Sequence, residues 1–262
     1  MSAQRDRAAL FGRLHVRGNP LVLFNIWDAG SALIVARAGA RAIATGSWSV
    51  AAAHGYGDGE QLPLESLLAA VREIVRAVDL PVTVDFETGY GSTPEMVGES
   101  VVRVIDAGVV GINLEDQVLG EGRIRPVGEA AARVRAARRA ADGAGVPVFL
   151  NARTDLFLRS DRAAHDDSML DDALRRAAAY AEAGASGFFA PGLFDEAAIG
   201  RLCAASPLPV NILALPGAPS ARRLAELGVA RISHGPGPYR RTADFLETAA
   251  RQAFTTELRG SA

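Results

Sequence analysis

Short β-branched apolar runs alternate with longer segments rich in Ala, Arg, Leu and Glu from end to end of the chain. The runs predict strands at 21–28 (LVLFNIWD), 41–46 (RAIATG), 82–87 (VTVDFE), 111–116 (GINLED), 148–155 (VFLNARTD), 187–191 (GFFAP), 209–215 (PVNILAL) and 231–236 (RISHGP). Between them, apolar residues recur at the 3.6-residue helical period, as in 63–78 and 168–184. Several of these segments end in a Gly two or three residues before the next strand, where a left-handed helix C-terminus is wanted. Eight β-then-α units in 262 residues predict a (β/α)8 TIM barrel of the α/β class rather than an open doubly wound sheet. No composition shift, proline-rich linker or charge block interrupts the pattern. One domain is expected over 1–262, with the barrel proper at about 21–254. The final segment, 239–254, puts Phe245, Ala249 and Ala253 on one stripe with Leu246, Ala250 and Phe254 beside it.

Composition narrows the classes. Hydrophobic residues make up 49%, ample for a core of this size. A net charge of −2 gives no basic footprint for nucleic acid. A single cysteine, Cys203, excludes an internal disulfide framework and a cysteine-rich zinc site. The first residues lack the apolar core of a signal peptide, and no apolar run approaches the roughly 20 residues of a membrane helix. A cytoplasmic protein with no membrane or nucleic-acid partner is expected.

Barrel chemistry sits at the C-terminal ends of the strands, and strand after strand here ends in polar residues: Asn25 and Asp28, Thr45 with Gly46 and Ser47, Asp85 and Glu87, Glu115 and Asp116, and Asn151, Arg153 and Asp155. Alternation puts Asp85 and Glu87 on one face, Asn113 with Glu115, and Asn151 with Arg153 and Asp155. Three converging acids repel one another unless something positive sits among them, and an oxygen-only set suits a hard cation such as Mg²⁺. Arg153 supplies a planar fork for a substrate carboxylate or phosphonate. The alternative without a ligand is an internal Arg153–Glu115 or Arg153–Asp85 ion pair. The stretch after the second strand, GSWSVAAAHGYGDGEQLP, reads as a long loop. It carries Asp58 in a Gly-rich turn, and Gly46-Ser47 at its start could offer backbone N–H groups to an oxyanion.

Five stretches stand in order on these strands between about Leu21 and Pro236: NIWDAGSALIVARAGARAIATGSWSVA, GYGDGE, VDFETGYG, INLEDQ and NARTD. Together they resemble the isocitrate lyase/phosphoenolpyruvate mutase superfamily. The resemblance implies Mg²⁺ or Mn²⁺ held directly or through water by Asp58, Asp85, Glu87 and Glu115. It implies catalytic roles for Asp58 and Arg153, with a substrate site formed by Thr45, Gly46, Ser47, Trp48, Arg153 and Asn211. It also implies a small carboxylate substrate, chemistry next to a 2-oxo acid through a pyruvate-type enolate, and a homo-oligomer, dimer or tetramer, that exchanges its last helix.

The chain departs from the pattern in three places. Glu87 stands where the family has Asp. The stretch after the fourth strand, EDQVLGEGRIRPVGE, has no Cys, His or Lys to serve as acid or base. Gly192 follows Pro191 where the lyases have Glu. The expected activity is therefore a C–C bond lyase other than an efficient isocitrate or methylisocitrate lyase. C–P chemistry, as in phosphoenolpyruvate mutase or phosphonopyruvate hydrolase, and non-catalytic binding of an oxalate-like ligand are the alternatives. Among the remaining candidates, Cys203 reads as a buried hydrophobe on an outer helix and His165 as solvated. His54 reads as a surface residue or an acid. His234 follows the eighth strand, where many barrels bind phosphate, but Pro236 and Pro238 remove donors there. Arg123 and Arg125 read either as surface charges or as a clasp over an anionic substrate.

Overall fold

The computed structural model describes residues 2–259. Its strands are β1 (Leu21–Leu23), β2 (Ile43–Ala44), β3 (Val82–Asp85), β4 (Gly111–Glu115), β5 (Gln117–Val118), β6 (Arg123–Ile124), β7 (Phe149–Arg153), β8 (Gly187–Phe189), β9 (Val210–Leu213) and β10 (Arg231–Ser233). All except β5 and β6, which form a separate antiparallel hairpin, make one parallel sheet in the order β1-β10-β9-β8-β7-β4-β3-β2. A parallel bridge between Ile26 and Thr45 joins the two ends, with Ile26 N–H donating to Ala44 at 2.8 Å and Gly46 N–H to Ile26 at 3.2 Å. The result is the expected (β/α)8 barrel. Each predicted strand is present but shorter at its C-terminal end, because the chain there leaves the ladder for the loops that build the site.

The helices are α1 (Ser2–Arg13), α2 (Ala29–Arg37), α3 (Ser47–Ala53), α4 (Leu64–Ala77), α5 (Pro94–Asp106), α6 (Val127–Gly143), α7 (Asp167–Glu182), α8 (Glu196–Ala205), α9 (Ala221–Glu226) and α10 (Gly237–Arg259). The segments at 63–78 and 168–184 are α4 and α7, and Cys203 is buried on α8 as read. The stretch after the second strand is not all loop: its Ala-rich start forms α3, which ends at Gly55 with φ +78°. None of the described helices is long and apolar enough to cross a membrane.

Helix α1, outside the barrel boundary read from sequence, closes the N-terminal end. Phe11 is fully buried, edge-on to Phe149 at 5.7 Å, and His15 stacks on the same ring at 3.8 Å. Gly111 makes room for this plug, since a Cβ there would lie 2.7 Å from the Phe11 ring.

Above the plug the barrel interior turns polar. Register aligns Asp85, Asn113 and Asn151 in one row, and Glu115, Arg153, Phe189, Asn211 and Arg231 in the next. Asn151 donates to Asn113 Oδ1 at 2.9 Å and Arg231 to the same oxygen at 3.2 Å. Burial lowers the pKa of Arg231 to about 9, against the pull of Asp85.

Candidate active site

A cavity of about 310 Å³ opens at the C-terminal ends of the strands. Asn25, Ser47, Asp58, Asp85, Asn113, Arg153 and Ser233 line its polar side. Most of these come from a strand or the segment just past it, while Asp58 is brought in by the turn after α3.

Asp85 is held from several sides. Its own N–H donates to Thr45 Oγ1 at 3.1 Å. The Ser47 hydroxyl donates to its Oδ2 at 3.0 Å and the Ser47 N–H to the same oxygen at 3.4 Å. Asn113 lies 3.5 Å from Oδ1. Asp58 faces the cavity beside it. Burial, then the charge of Asp85, raises the Asp58 pKa above the ordinary carboxylate value, with Arg153 opposing.

Arg153 sits among three carboxylates. Its Nε and Nη2 donate to the two oxygens of Asp155 at 2.6 and 3.1 Å, and Nη1 pairs with Glu115 at 2.8 Å and with Asp85 at 3.9 Å. The internal ion pair set out as the alternative is thus present, while the same side chain also lines the cavity. Burial alone would lower the Arg153 pKa, but Glu115, Asp155 and Asp85 outweigh it and hold the guanidinium charged. Burial pushes Glu115 upward, against the pull of Arg153.

Glu87 does not line the cavity. Its backbone is left-handed, φ +48°, just past the end of β3, while its carboxylate stays close enough to Asp58 and Asp85 to feel their charge. Its Oε2 accepts the Glu60 N–H at 2.5 Å. Glu60 Oε1 in turn accepts Thr88 N–H at 3.0 Å, Thr88 Oγ1–H at 2.6 Å and Tyr90 N–H at 3.0 Å. Burial first, then Asp58, raises the Glu87 pKa to about 8. Glu60, which ties the GYGDGE turn to the end of β3, escaped the sequence reading; the acid repeated at the end of that motif was its signal.

The other candidates divide. Ser47 and Trp48 line the cavity, and so does Gly46, but its N–H is spent on Ile26 and the Ser47 N–H points at Asp85. These donors are therefore already engaged before any oxyanion arrives. Thr45 and Asn211 lie one step deeper: Thr45 orients Asp85, and Asn211 holds Ser233, which lines the cavity. After β10, the N–H groups of His234 and Gly235 both donate to Asn25 Oδ1, at 2.9 and 2.8 Å, so no phosphate cradle stands open there. His54 is exposed at the end of α3, while His165 is half-buried against Phe157 rather than solvated. Arg123 pairs with Glu121 on the exposed hairpin at 2.7 Å, and neither it nor Arg125 reaches the cavity.

Among the described residues, no three His, Cys, Asp or Glu side chains form a ready-made metal cluster. The donor set nevertheless fits a hard cation. No His or Cys lines the cavity, Asp58 and Asp85 both face it, and Asp58 and Glu87 are pushed toward protonation first by burial and then by the neighbouring carboxylates. Mg²⁺ characteristically touches one or two carboxylates and keeps several waters.

Comparison with known proteins places this geometry. The phosphoenolpyruvate phosphomutase family matches residues 11–254. A crystal structure of a candidate phosphonomutase from Burkholderia cenocepacia J2315 superposes with a TM-score of 0.93 at 53% identity, covering 95% of this chain and 99% of that one. An uncharacterised protein of Mycobacterium tuberculosis (strain ATCC 25618 / H37Rv) is 36% identical over 230 residues, 87% of this chain and 83% of its own length. The 2-methylisocitrate lyase of Escherichia coli (strain K12) is 32% identical over 209 residues, 78% of this chain and 67% of the lyase. The carboxylate-lined barrel mouth, the ordered motifs and these matches together make the chain a member of the isocitrate lyase/phosphoenolpyruvate mutase superfamily.

Proposed function

We propose that the chain is a Mg²⁺-dependent enzyme, Mn²⁺ serving in its place, that breaks a C–C bond in a small 2-oxo or 2-hydroxy carboxylate through a pyruvate-type enolate. The observation that carries this reading is the meeting of Asp58, Asp85 and Arg153 on the wall of one cavity. Asp85 and Asp58 would hold a divalent cation, with Glu87 and Glu115 contributing directly or through water, and the ion when bound would supply positive charge at this wall of the cavity. Arg153 presents its cavity edge to the substrate carboxylate, its orientation locked by Asp155. Ser47 and Thr45 fix the rotamer of Asp85. Asp58 faces the same cavity beside Asp85, where its carboxylate would complete the oxygen donor set at the reacting centre.

The hairpin formed by β5 and β6 bears no Cys, His or Lys, and its Glu121 is paired with Arg123. Isocitrate and methylisocitrate, whose cleavage needs a proton delivered at the closing loop, are therefore poor substrates in this reading. A second reading, C–P bond chemistry, draws on the 53% identity to the candidate phosphonomutase and on the same missing acid, since a phosphoryl rearrangement needs no proton donor. Assembly belongs to the proposal too: the chain forms a homo-oligomer, dimer or tetramer, through α10.

A panel of small 2-oxo and 2-hydroxy acids with Mg²⁺, read as pyruvate, glyoxylate and phosphate release, separates the readings. Pyruvate release is expected, phosphate release would favour the second reading, and oxalate binding without turnover would mark a binder. Calorimetric Mg²⁺ affinity should fall at least tenfold in Asp85→Ala; an unchanged value overturns the metal assignment.

A further inference from the structure

The cavity has two unlike halves. Opposite the polar side, its wall is built from Leu158, Phe189, Pro191, Leu213, Leu215 and Pro236, none of which carries a side-chain donor or acceptor. Phe189 and Leu213 are buried, while Leu158 remains 42% exposed, an apolar side chain left at the rim. The cavity, about 310 Å³, is bounded by both sets of side chains.

Two cations touch this cavity. Arg153 is committed to Glu115, Asp155 and Asp85 at the polar side. Arg240 is exposed, with its guanidinium 4.7 Å from the Trp48 ring centroid. A second substrate carboxylate pressed against the leucines would lose its water and find no donor on the wall. An alkyl group in the same place would lose water favourably.

We infer that this site selects a 2-oxo carboxylate whose far end is an uncharged, branched or linear alkyl group, in preference to a dicarboxylate, with Phe189, Leu213 and Leu215 setting that specificity. The inference rests on the head-group reading proposed above. It separates this chain from enzymes whose substrates carry a carboxylate at both ends.

Three probes test it by calorimetry in the presence of Mg²⁺: oxalate, which is head group alone; 2-oxoglutarate; and 5-methyl-2-oxohexanoate, which replaces the far carboxylate of 2-oxoglutarate with an isopropyl group. The methyl-branched acid should bind at least tenfold tighter than 2-oxoglutarate. Leu215→Lys, in the half-buried turn after β9, should reverse that order once a thermal melt confirms folding. Equal or tighter binding of 2-oxoglutarate to the unaltered protein overturns the inference; if Arg240→Gln then abolishes that binding, the second carboxylate belongs to Arg240. Failure of oxalate itself to bind overturns the head-group reading instead, so the two failures are distinguishable.

Discussion

Glu60, Glu87 and Tyr90 have φ of 58°, 48° and 51°, the left-handed region where a Cβ costs roughly 1–2 kcal/mol per residue. All three belong to one knot of hydrogen bonds at the mouth of the barrel, so the surrounding contacts hold a strained backbone at a site of chemistry. Burial holds the Glu87 pKa at about 8, against 4.5 for an ordinary glutamate. Between those values the metal-free folded chain binds a proton that the unfolded chain releases. The resulting stability is full below about pH 4.5 and is lost as pH rises through 8. Glu87→Gln keeps an oxygen for the Glu60 N–H and removes the charge. Its metal-free melting temperature should fall less than that of the unaltered protein between pH 6 and pH 9, and should be the higher of the two at pH 9. Parallel profiles would show that Glu87 does not carry this proton. Strand alternation put Glu87 on the face of Asp85; the strand ends before Glu87 at a positive φ, which a glutamate does not announce, so alternation no longer sets the direction of its side chain. Asp85 itself was legible, since the ladder holds through its position and register sets it beside Asn113.

At the level of elements, the outer helices reach inward through arginines. Arg176 on α7 donates to Asp116 Oδ2 at 2.9 Å and to the Arg125 carbonyl at 3.0 Å, and Tyr180 donates to the same carboxylate at 2.8 Å. Asp116 Oδ1 takes the Asp155 N–H at 3.0 Å, so one buried carboxylate ties α7, the base of the hairpin and the partner of Arg153 together. On α6, Arg133 donates to the Thr88 and Ser92 carbonyls at 3.1 and 3.2 Å, bracing the loop after β3. Asp116→Asn leaves the buried Arg176 guanidinium with Asp172, 3.2 Å away, as its remaining charge partner. It should cost about 1–3 kcal/mol in denaturant unfolding, whereas Arg123→Ala at the exposed tip should stay within about 0.5 kcal/mol. Equal effects would show that the network does not hold the hairpin. The eight-unit barrel was readable because its strands and helices repeat two distinct periods. These arginines were readable in principle as well: Arg176 interrupts the buried stripe of Leu170, Ala173, Ala177 and Tyr180, and a charge on such a stripe needs a partner. Which partner it meets depends on a contact sixty residues back in the chain, and no local period encodes that. Asp28 shows the converse. It reads as a polar strand end, yet its carboxylate accepts the Ser31 N–H at 2.7 Å and caps α2.

Across the whole molecule the apolar surface is unevenly placed. The stripe on α10 leaves Phe245 75%, Leu246 67% and Phe254 66% exposed, where a helix closing its own barrel would bury them. The first strand and its following helix are bare in the complementary sense: Val22 and Phe24 on the outer side of the β1 segment, and Leu33 and Ile34 on α2, are each at least 40% exposed. In a closed barrel the outward residues of a strand are covered by a helix, so their exposure means that the covering helix is elsewhere. The homo-oligomer proposed above would match the two, a second copy's α10 covering the bare face while the first copy's α10 returns the contact in an isologous pair. Burying a Phe or Leu side chain is worth about 1.5–3 kcal/mol, so three such residues in each direction supply at most about 9–18 kcal/mol, the same order as the association cost they must exceed. Light scattering should therefore give a dimeric or tetrameric mass. Phe245→Asp combined with Leu246→Asp should give a folded monomer, because neither side chain contributes to the core of its own barrel. A monomeric mass for the unaltered chain, or an oligomer that survives both aspartates, would remove α10 from the interface.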